Sequence, residues 1–263
     1  MTPTIDINAD VGESFGAWAL GDDAGLLAHV TTANVACGFH AGDPLTMRET
    51  VRVAKANGSV VGAHPGLPDL LGFGRRLMSI TADEIYAYVL YQAGSLQPFL
   101  AAEGLSLHHV KFHGALVRAI ERDAETAAAA AAAVKALMPN PVVYWPSSPS
   151  ADEFVAAAGA AGLHMVKELF PDLSYDDAGF IAIQRKKLPT PPEAVAEQVR
   201  LFVSTGQVRS AGGKLLDMPA DSICLHGDGH APVAVAEAVT AVLADAGWEL
   251  APATATTTSS QGT

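Results

Sequence analysis

The chain has 263 residues, 49% of them apolar, which suits one large domain or two small ones with a full core. Its formal net charge of −12 argues against nucleic acid or an anionic membrane as the main partner. No apolar run reaches the roughly 18 residues of a membrane span, and the opening MTPTIDINAD lacks the basic and apolar segments of a signal peptide, so a cytoplasmic protein is expected.

TIDINAD (4–10) alternates polar and apolar residues strictly and predicts the first strand. TTANVAC (31–37) continues as a second. Asp43 as N-cap, Pro44 at the first helical position and Gly58 just past the end predict a helix over 43–57. SVVGAH (59–64) is a third strand. Thr81 and Glu84 form a capping box that opens a helix towards Glu103. LHHVKFH (107–113) is a fourth strand. The alanines of 127–133 belong to a helix over 123–137, because alanine has the best helix propensity. VVYW (142–145) is a fifth strand. A capping box from Ser150 to Glu153 opens a helix that ends near Gly162. HMVKELF (164–170) is the sixth strand. Thr190, Pro191 and Glu193 open a helix up to about Thr205. SICLHGD (222–228) is the seventh strand, and a helix from Pro232 to about Ala246 follows. The organisation is therefore a single α/β domain over 1–250 with a disordered tail over 251–263. Seven strands alternating with helices imply a parallel sheet, closed as a barrel or open and doubly wound. There is no Walker sequence, and Gly72-Phe73-Gly74 lacks the third glycine of a dinucleotide fingerprint. Cys37 and Cys224 lie in apolar strand-like runs and are expected to be buried, reduced thiols.

Residues two apart on a strand share a face. That groups Asp6, Asn8 and Asp10 on the first strand, and Asn34, Ala36, Gly38 and His40 on the second. Gly62 and His64 share a face of the third, His109, Lys111 and His113 of the fourth, and Cys224, His226 and Asp228 of the seventh. A structural parallel strand is apolar on both faces. Burying these polar groups without partners would cost several kcal/mol each, on the order of 2–7. One shared pocket at the C-terminal strand ends, where α/β barrels place their sites, accounts for them all. The loop LPDLLGFGRR after His64 adds Asp69, Arg75 and Arg76.

IDINADVGESFGAW, TTANVACGFHAGDP, VGAHPGLPDLLGFGRR, LYQAGSL, VKFHGAL and CLHGD, in this order, resemble the LamB/YcsF family over most of residues 4–245. The resemblance implies a seven-stranded (β/α) barrel akin to that of polysaccharide deacetylases. It implies ATP-dependent opening of 5-oxo-L-proline to L-glutamate, carried out by a 5-oxoprolinase A-subunit together with subunits B and C. The family's polar positions fall on Asn8, Asp10, Glu13, His40, Asp43, His64, Lys111, His113, His226 and Asp228. The chain departs from the family pattern at Phe112, where proline is usual, at Val117-Arg118, where Tyr-Asn is usual, and at Leu173, where the arginine is missing.

For a lactam-opening reaction, Asp10 is the expected base, with Glu13 second. Lys111 is the electrostatic stabiliser, and His40, His64 and His113 are donors or proton carriers. Arg75 or Arg76 would clamp a carboxylate or phosphate. Asn8, Asp43, His226 and Asp228 complete the expected substrate contacts, although Asp43 before Pro44 is a helix cap first. ATP is the expected cofactor, accompanied by Mg2+. The alternative is a divalent-metal-dependent amide hydrolase or deacetylase, with Asp10, His40 and His64 on the ion. A non-catalytic protein that binds a small acid or carbohydrate is the third possibility.

Overall fold

The strict alternation of TIDINAD does form a strand, β1 (Thr4–Val11), and every later barrel strand runs parallel to it. The computed structural model describes residues 2–147, 153–181, 190–229 and 231–254. In chain order β1 is followed by α1 (Asp23–Leu27), β2 (Thr32–Ala36), α2 (Pro44–Ala56), β3 (Val60–His64), α3 (Ala82–Ala102) and β4 (Val110–Lys111). Then come α4 (Ala115–Ile120), α5 (Ala124–Leu137), β5 (Val142–Pro146), α6 (Glu153–Ala161), β6 (His164–Leu169) and α7 (Pro192–Thr205). The chain ends with β7 (Gln207–Arg209), β8 (Leu215–Asp217), β9 (Ser222–His226), α8 (Pro232–Asp245) and β10 (Glu249–Leu250).

The strands pair in the order β1-β2-β3-β4-β5-β6-β9, and β9 pairs back onto β1, so the sheet closes into a seven-stranded barrel. Closure decides between the two topologies that alternation left open. It also removes both sheet edges. β10 adds only to the start of β1, through Thr4 and Ile5.

The expected helix signals operate locally. The Asp43 side chain accepts from Leu45 and Thr46 N–H at the start of α2, and Thr81 and Glu84 form the reciprocal box on α3. Ser150 lies outside the described residues, so the box expected to open α6 does too. Short elements carried no periodic signal: α1, α4, β10 and the antiparallel hairpin β7–β8. The expected fourth strand over 107–113 shrinks to Val110–Lys111, although the His108 N–H and the His109 carbonyl still bond to β3. The helices cover the barrel with two apolar clusters. One includes Val35, Val51, Ile223 and Val239, and the other Val89, Val110, Ala130, Val143 and Phe154.

At the N-terminal end of the barrel the Ala251 N–H donates to the Ile5 carbonyl, and Ala253 is buried against Val142, Tyr144 and Val166. Packing thus continues past residue 250, to Ala253. Residues 255–263, where most of the expected tail falls, lie outside the described residues.

Candidate active site at the C-terminal strand ends

Above the apolar floor of Val142, Val166 and Ala253 the barrel interior is polar up to the mouth. In the lowest polar layer the buried Asp6 carboxylate accepts from Thr31, Thr32, Tyr144 and Ser222 hydroxyls at 2.5–2.9 Å. Burial raises its pKa despite those four donors. Above it the Asn8 amide donates to Ser222 Oγ at 2.8 Å, and Asn34 Nδ2 donates to Asn8 Oδ1 at 2.7 Å. His109 Nε2 lies 2.7 Å from Asn34 Oδ1, and its Nδ1 lies 3.1 Å from His108. The inward residues of the strands therefore satisfy one another in layers, as a buried polar network must.

The top layer is charged. Lys111 Nζ donates to Asp10 Oδ1 at 2.6 Å and to Asn8 Oδ1 at 3.4 Å, with Cys224 Sγ at 2.9 Å and Glu168 Oε1 at 3.3 Å. Burial alone would lower the lysine pKa, but the neighbouring acidic groups, the Asp10 carboxylate foremost, reverse this and hold it well above the usual range. Burial would raise Asp10, but the charges of His64 and Lys111 hold it well below the ordinary carboxylate range. Asp10 also accepts from Asn34 Nδ2 at 2.9 Å, and its Oδ2 lies 3.3 Å from His64 Nε2 and 3.8 Å from His226 Nε2. Burial, only partly offset by Lys111, pushes the Glu168 carboxyl up to about 7. Two carboxylates flank one ammonium: one is firmly ionised and the other is able to exchange a proton near neutrality. His226 Nδ1 is 2.8 Å from Asp172 Oδ2, which assigns the proton to Nδ1 and turns Nε2 towards Asp10.

Beside this layer lie four more buried groups. His40 Nε2 is 3.5 Å and His113 Nδ1 3.7 Å from Glu13 Oε1, and His64 Nε2 is 3.0 Å from His113 Nδ1. Burial, then the neighbouring imidazoles, push the His40 and His113 pKa values well below the ordinary value. Sharp turns seat these loops: Gly38 and Gly42 have φ of 93° and 82°. A Cβ on Gly42 would lie 2.8 Å from the Gly12 carbonyl oxygen. Among the described residues, two groups have the donors and spacing to hold a divalent ion: Glu13 with His40, His64 and His113, and Asp10 with Cys224 and His226.

A cavity of about 160 Å³ opens above Lys111. Asp10, His64, Lys111, His113, Glu168 and His226 line it, and Phe112, Val117, Phe170, Leu173, Phe180 and Ile181 form an apolar wall. Arg75 reaches its rim, with Nη2 2.7 Å from Asp228 Oδ2. Arg76 instead turns outwards and binds Asp69 through Nε at 2.9 Å, with 53% of its side chain exposed. Asp43 is not brought to the cavity. Its oxygens accept from Gly16, Leu45 and Thr46, and those bonds, the Gly16 N–H foremost, lower its pKa to about 2. Asn8 lies one layer beneath the mouth, where it supports Lys111. His40 faces Glu13 and His113, so it reaches the expected trio with Asp10 and His64 only through its neighbours.

Glu168 and Asp172 escaped the sequence analysis. Alternation along HMVKELF does put Glu168 on the same inward face as Val166, so the signal was present. Nothing local marks Asp172, which acquires its place only when the loop after β6 meets β9.

The LamB/YcsF family model matches residues 5–258. The chain is 47% identical to the 5-oxoprolinase A-subunit of Thermus thermophilus over 251 residues, covering 94% of this chain and 98% of that protein. It is 43% identical to the 5-oxoprolinase A-subunit of Deinococcus radiodurans over 253 residues, covering 95% and 97%. The crystal structure of the lactam utilization protein from Thermus thermophilus superposes with a TM-score of 0.85 at 45% identity, covering 94% of this chain and 99% of that one. A structure from Enterococcus faecalis, named for cellobiose-phosphate cleavage, matches at a TM-score of 0.56 and 12% identity, with 97% and 98% covered, and shares the fold alone.

Proposed function

The chain belongs to the LamB/YcsF family, and on that premise we propose that it opens 5-oxo-L-proline to L-glutamate as the A-subunit of a multi-component 5-oxoprolinase. In this proposal ATP hydrolysis drives the ring opening, Mg2+ accompanies the nucleotide, subunits B and C complete the enzyme, and the reaction takes place in the cytoplasm. The carrying observation is the buried Lys111 ammonium held between Asp10 and Glu168 on the floor of a largely apolar cavity.

A five-membered lactam is a stable amide, so its carbonyl must be activated before water can attack. Transfer of the γ-phosphoryl group to the amide oxygen achieves that. Water then adds to the carbon, the C–N bond breaks, the nitrogen leaves with a proton, and phosphate departs. Lys111 supplies a preorganised cation where negative charge gathers on that oxygen. Glu168, titrating near 7, takes the proton of the attacking water. This shifts the base role from Asp10, whose depressed pKa makes it a poor base and a good anchor for Lys111 and His64. His226, oriented by Asp172, is placed to protonate the leaving nitrogen. Arg75 at the rim receives the substrate carboxylate, while Phe112, Val117, Phe170 and Leu173 receive the ring methylenes.

The test is glutamate formation from 5-oxoproline by the purified chain, with and without ATP and with and without the partner proteins. Turnover is expected only in the complete, ATP-supplied mixture. Absence of turnover there, or turnover that ignores ATP, would reject the proposal.

A further inference from the structure

We propose that Glu13, His40, His64 and His113 bind a divalent metal ion, with Zn2+ favoured by the donor set. Each of the first four barrel strands supplies one of these groups at its C-terminal end: Glu13 after β1, His40 after β2, His64 on β3 and His113 after β4. Their ligand atoms lie within 4.8 Å of one another, and all four residues are buried.

The histidine hydrogen bonds create a conflict that a cation resolves. His64 Nδ1 is 2.8 Å from the Lys111 carbonyl oxygen, and His113 Nε2 is 2.8 Å from the Phe73 carbonyl oxygen. A carbonyl only accepts, so both of these outer nitrogens carry protons. The inner nitrogens, His64 Nε2 and His113 Nδ1, then face each other at 3.0 Å, with Asp10 Oδ2 3.3 Å from His64 Nε2, so three lone-pair atoms converge on a position that only a proton or a metal ion can hold. Such atoms repel one another unless a proton or a metal ion lies between or beside them. Imidazoles that donate their outer N–H to a backbone carbonyl are also the usual supports of metal ligands.

His40 points the same way. It is fully buried, and neither ring nitrogen has a hydrogen-bond partner among the described residues. A buried imidazole left in that condition is costly. Its ring stacks on His113 at 3.7 Å and 6°, and its Nε2 lies 3.5 Å from Glu13 Oε1, within the same cluster. Zn–N and Zn–O bonds of about 2.0–2.1 Å place tetrahedral ligand atoms about 3.3–3.4 Å apart. The spacings here are 3.0 Å from His64 to His113, 3.5 Å from His40 to Glu13 and 3.7 Å from His113 to Glu13. Three imidazoles and a carboxylate suit Zn2+ better than Mg2+ or Ca2+. Asp10 is the less suitable carboxylate, because Lys111 already sits 2.6 Å from it and would repel a dication. With all four ligands engaged, the ion would pin the C-terminal ends of four neighbouring strands together.

The intact chain, stripped with a chelator, is titrated with Zn2+ by calorimetry and with Co2+ by visible absorption. One ion per chain is expected, with the intense d–d bands of tetrahedral Co2+. Glu13→Gln and His113→Gln should each weaken binding by about tenfold or more, while Asp10→Asn retains it. Circular dichroism confirms the fold of each variant, and Glu13→Gln serves alone if His113→Gln does not fold. No stoichiometric ion in the wild type, as when a proton bridges the imidazoles instead, would overturn the proposal. So would unchanged binding in Glu13→Gln, or an equal loss in Asp10→Asn. Because the readout is metal binding itself, failure here leaves the lactam proposal standing, and the reverse holds too.

Discussion

Lys111 Nζ lies 2.6 Å from Asp10 Oδ1, and both side chains are buried where β1 and β4 face each other across the barrel. Neither charge is tolerable there without the other. Lys111→Met leaves Asp10 as an uncompensated buried anion and is expected to destabilise the fold by about 3–5 kcal/mol. Turnover of 5-oxoproline by the complete complex should fall by about 10²-fold or more. Thermal unfolding and a glutamate assay read the two effects separately, and retained ATP-coupled turnover would remove Lys111 from the mechanism.

Glu168 should set a limb of the pH–rate profile near 7, and Glu168→Gln should abolish that limb along with most of the rate. The stability consequence has a definite sign. The folded pKa of about 7 lies above the ordinary value of 4.5, so between them the folded chain holds the extra proton. The contribution of this group is therefore fullest below 4.5 and declines as pH rises through 7. Denaturant midpoints across that window should fall less steeply in Glu168→Gln than in the wild type.

Asp43 should behave as a structural cap. Asp43→Ala is expected to cost about 1 kcal/mol of stability through loss of the α2 cap, with KM for 5-oxoproline little changed. Its pKa falls from 3.8 to about 2 on folding, so its contribution is present above 3.8 and lost as pH drops towards 2. A large rise in KM without loss of stability would instead make it a substrate ligand.

Arg75 and Arg76 are adjacent in sequence but not in role. Arg75 is 13% exposed at the cavity rim on Asp228, whereas Arg76 is tied to Asp69 outside it. Steady-state kinetics should show Arg75→Ala raising KM for 5-oxoproline severalfold and Arg76→Ala leaving it near the wild-type value. Equal effects would mean that the loop, and not the guanidinium, matters.

Much of this site was legible in one dimension because a β-strand has a period of two and a parallel barrel strand should be apolar on both faces. Asp6, Asn8, Asp10, His109, Lys111 and His226 broke that rule on the inward face, and each is found there. Helix boundaries at Asp43 and Thr81 were equally legible, since a cap bonds within three or four residues of its own chain. Barrel closure was not, because the pairing of β9 with β1 joins residues more than 200 positions apart and leaves no local mark. The same holds for the assignment of partners. Asp10 and Glu168 are both inward carboxylates, yet one is firmly ionised by Lys111 and His64 while burial keeps the other near 7. Sequence alone determined which face of each of these strands turns into the barrel. Only the tertiary structure decided which charges meet inside it, because burial and distance, on which a buried charge depends, are properties of the folded chain.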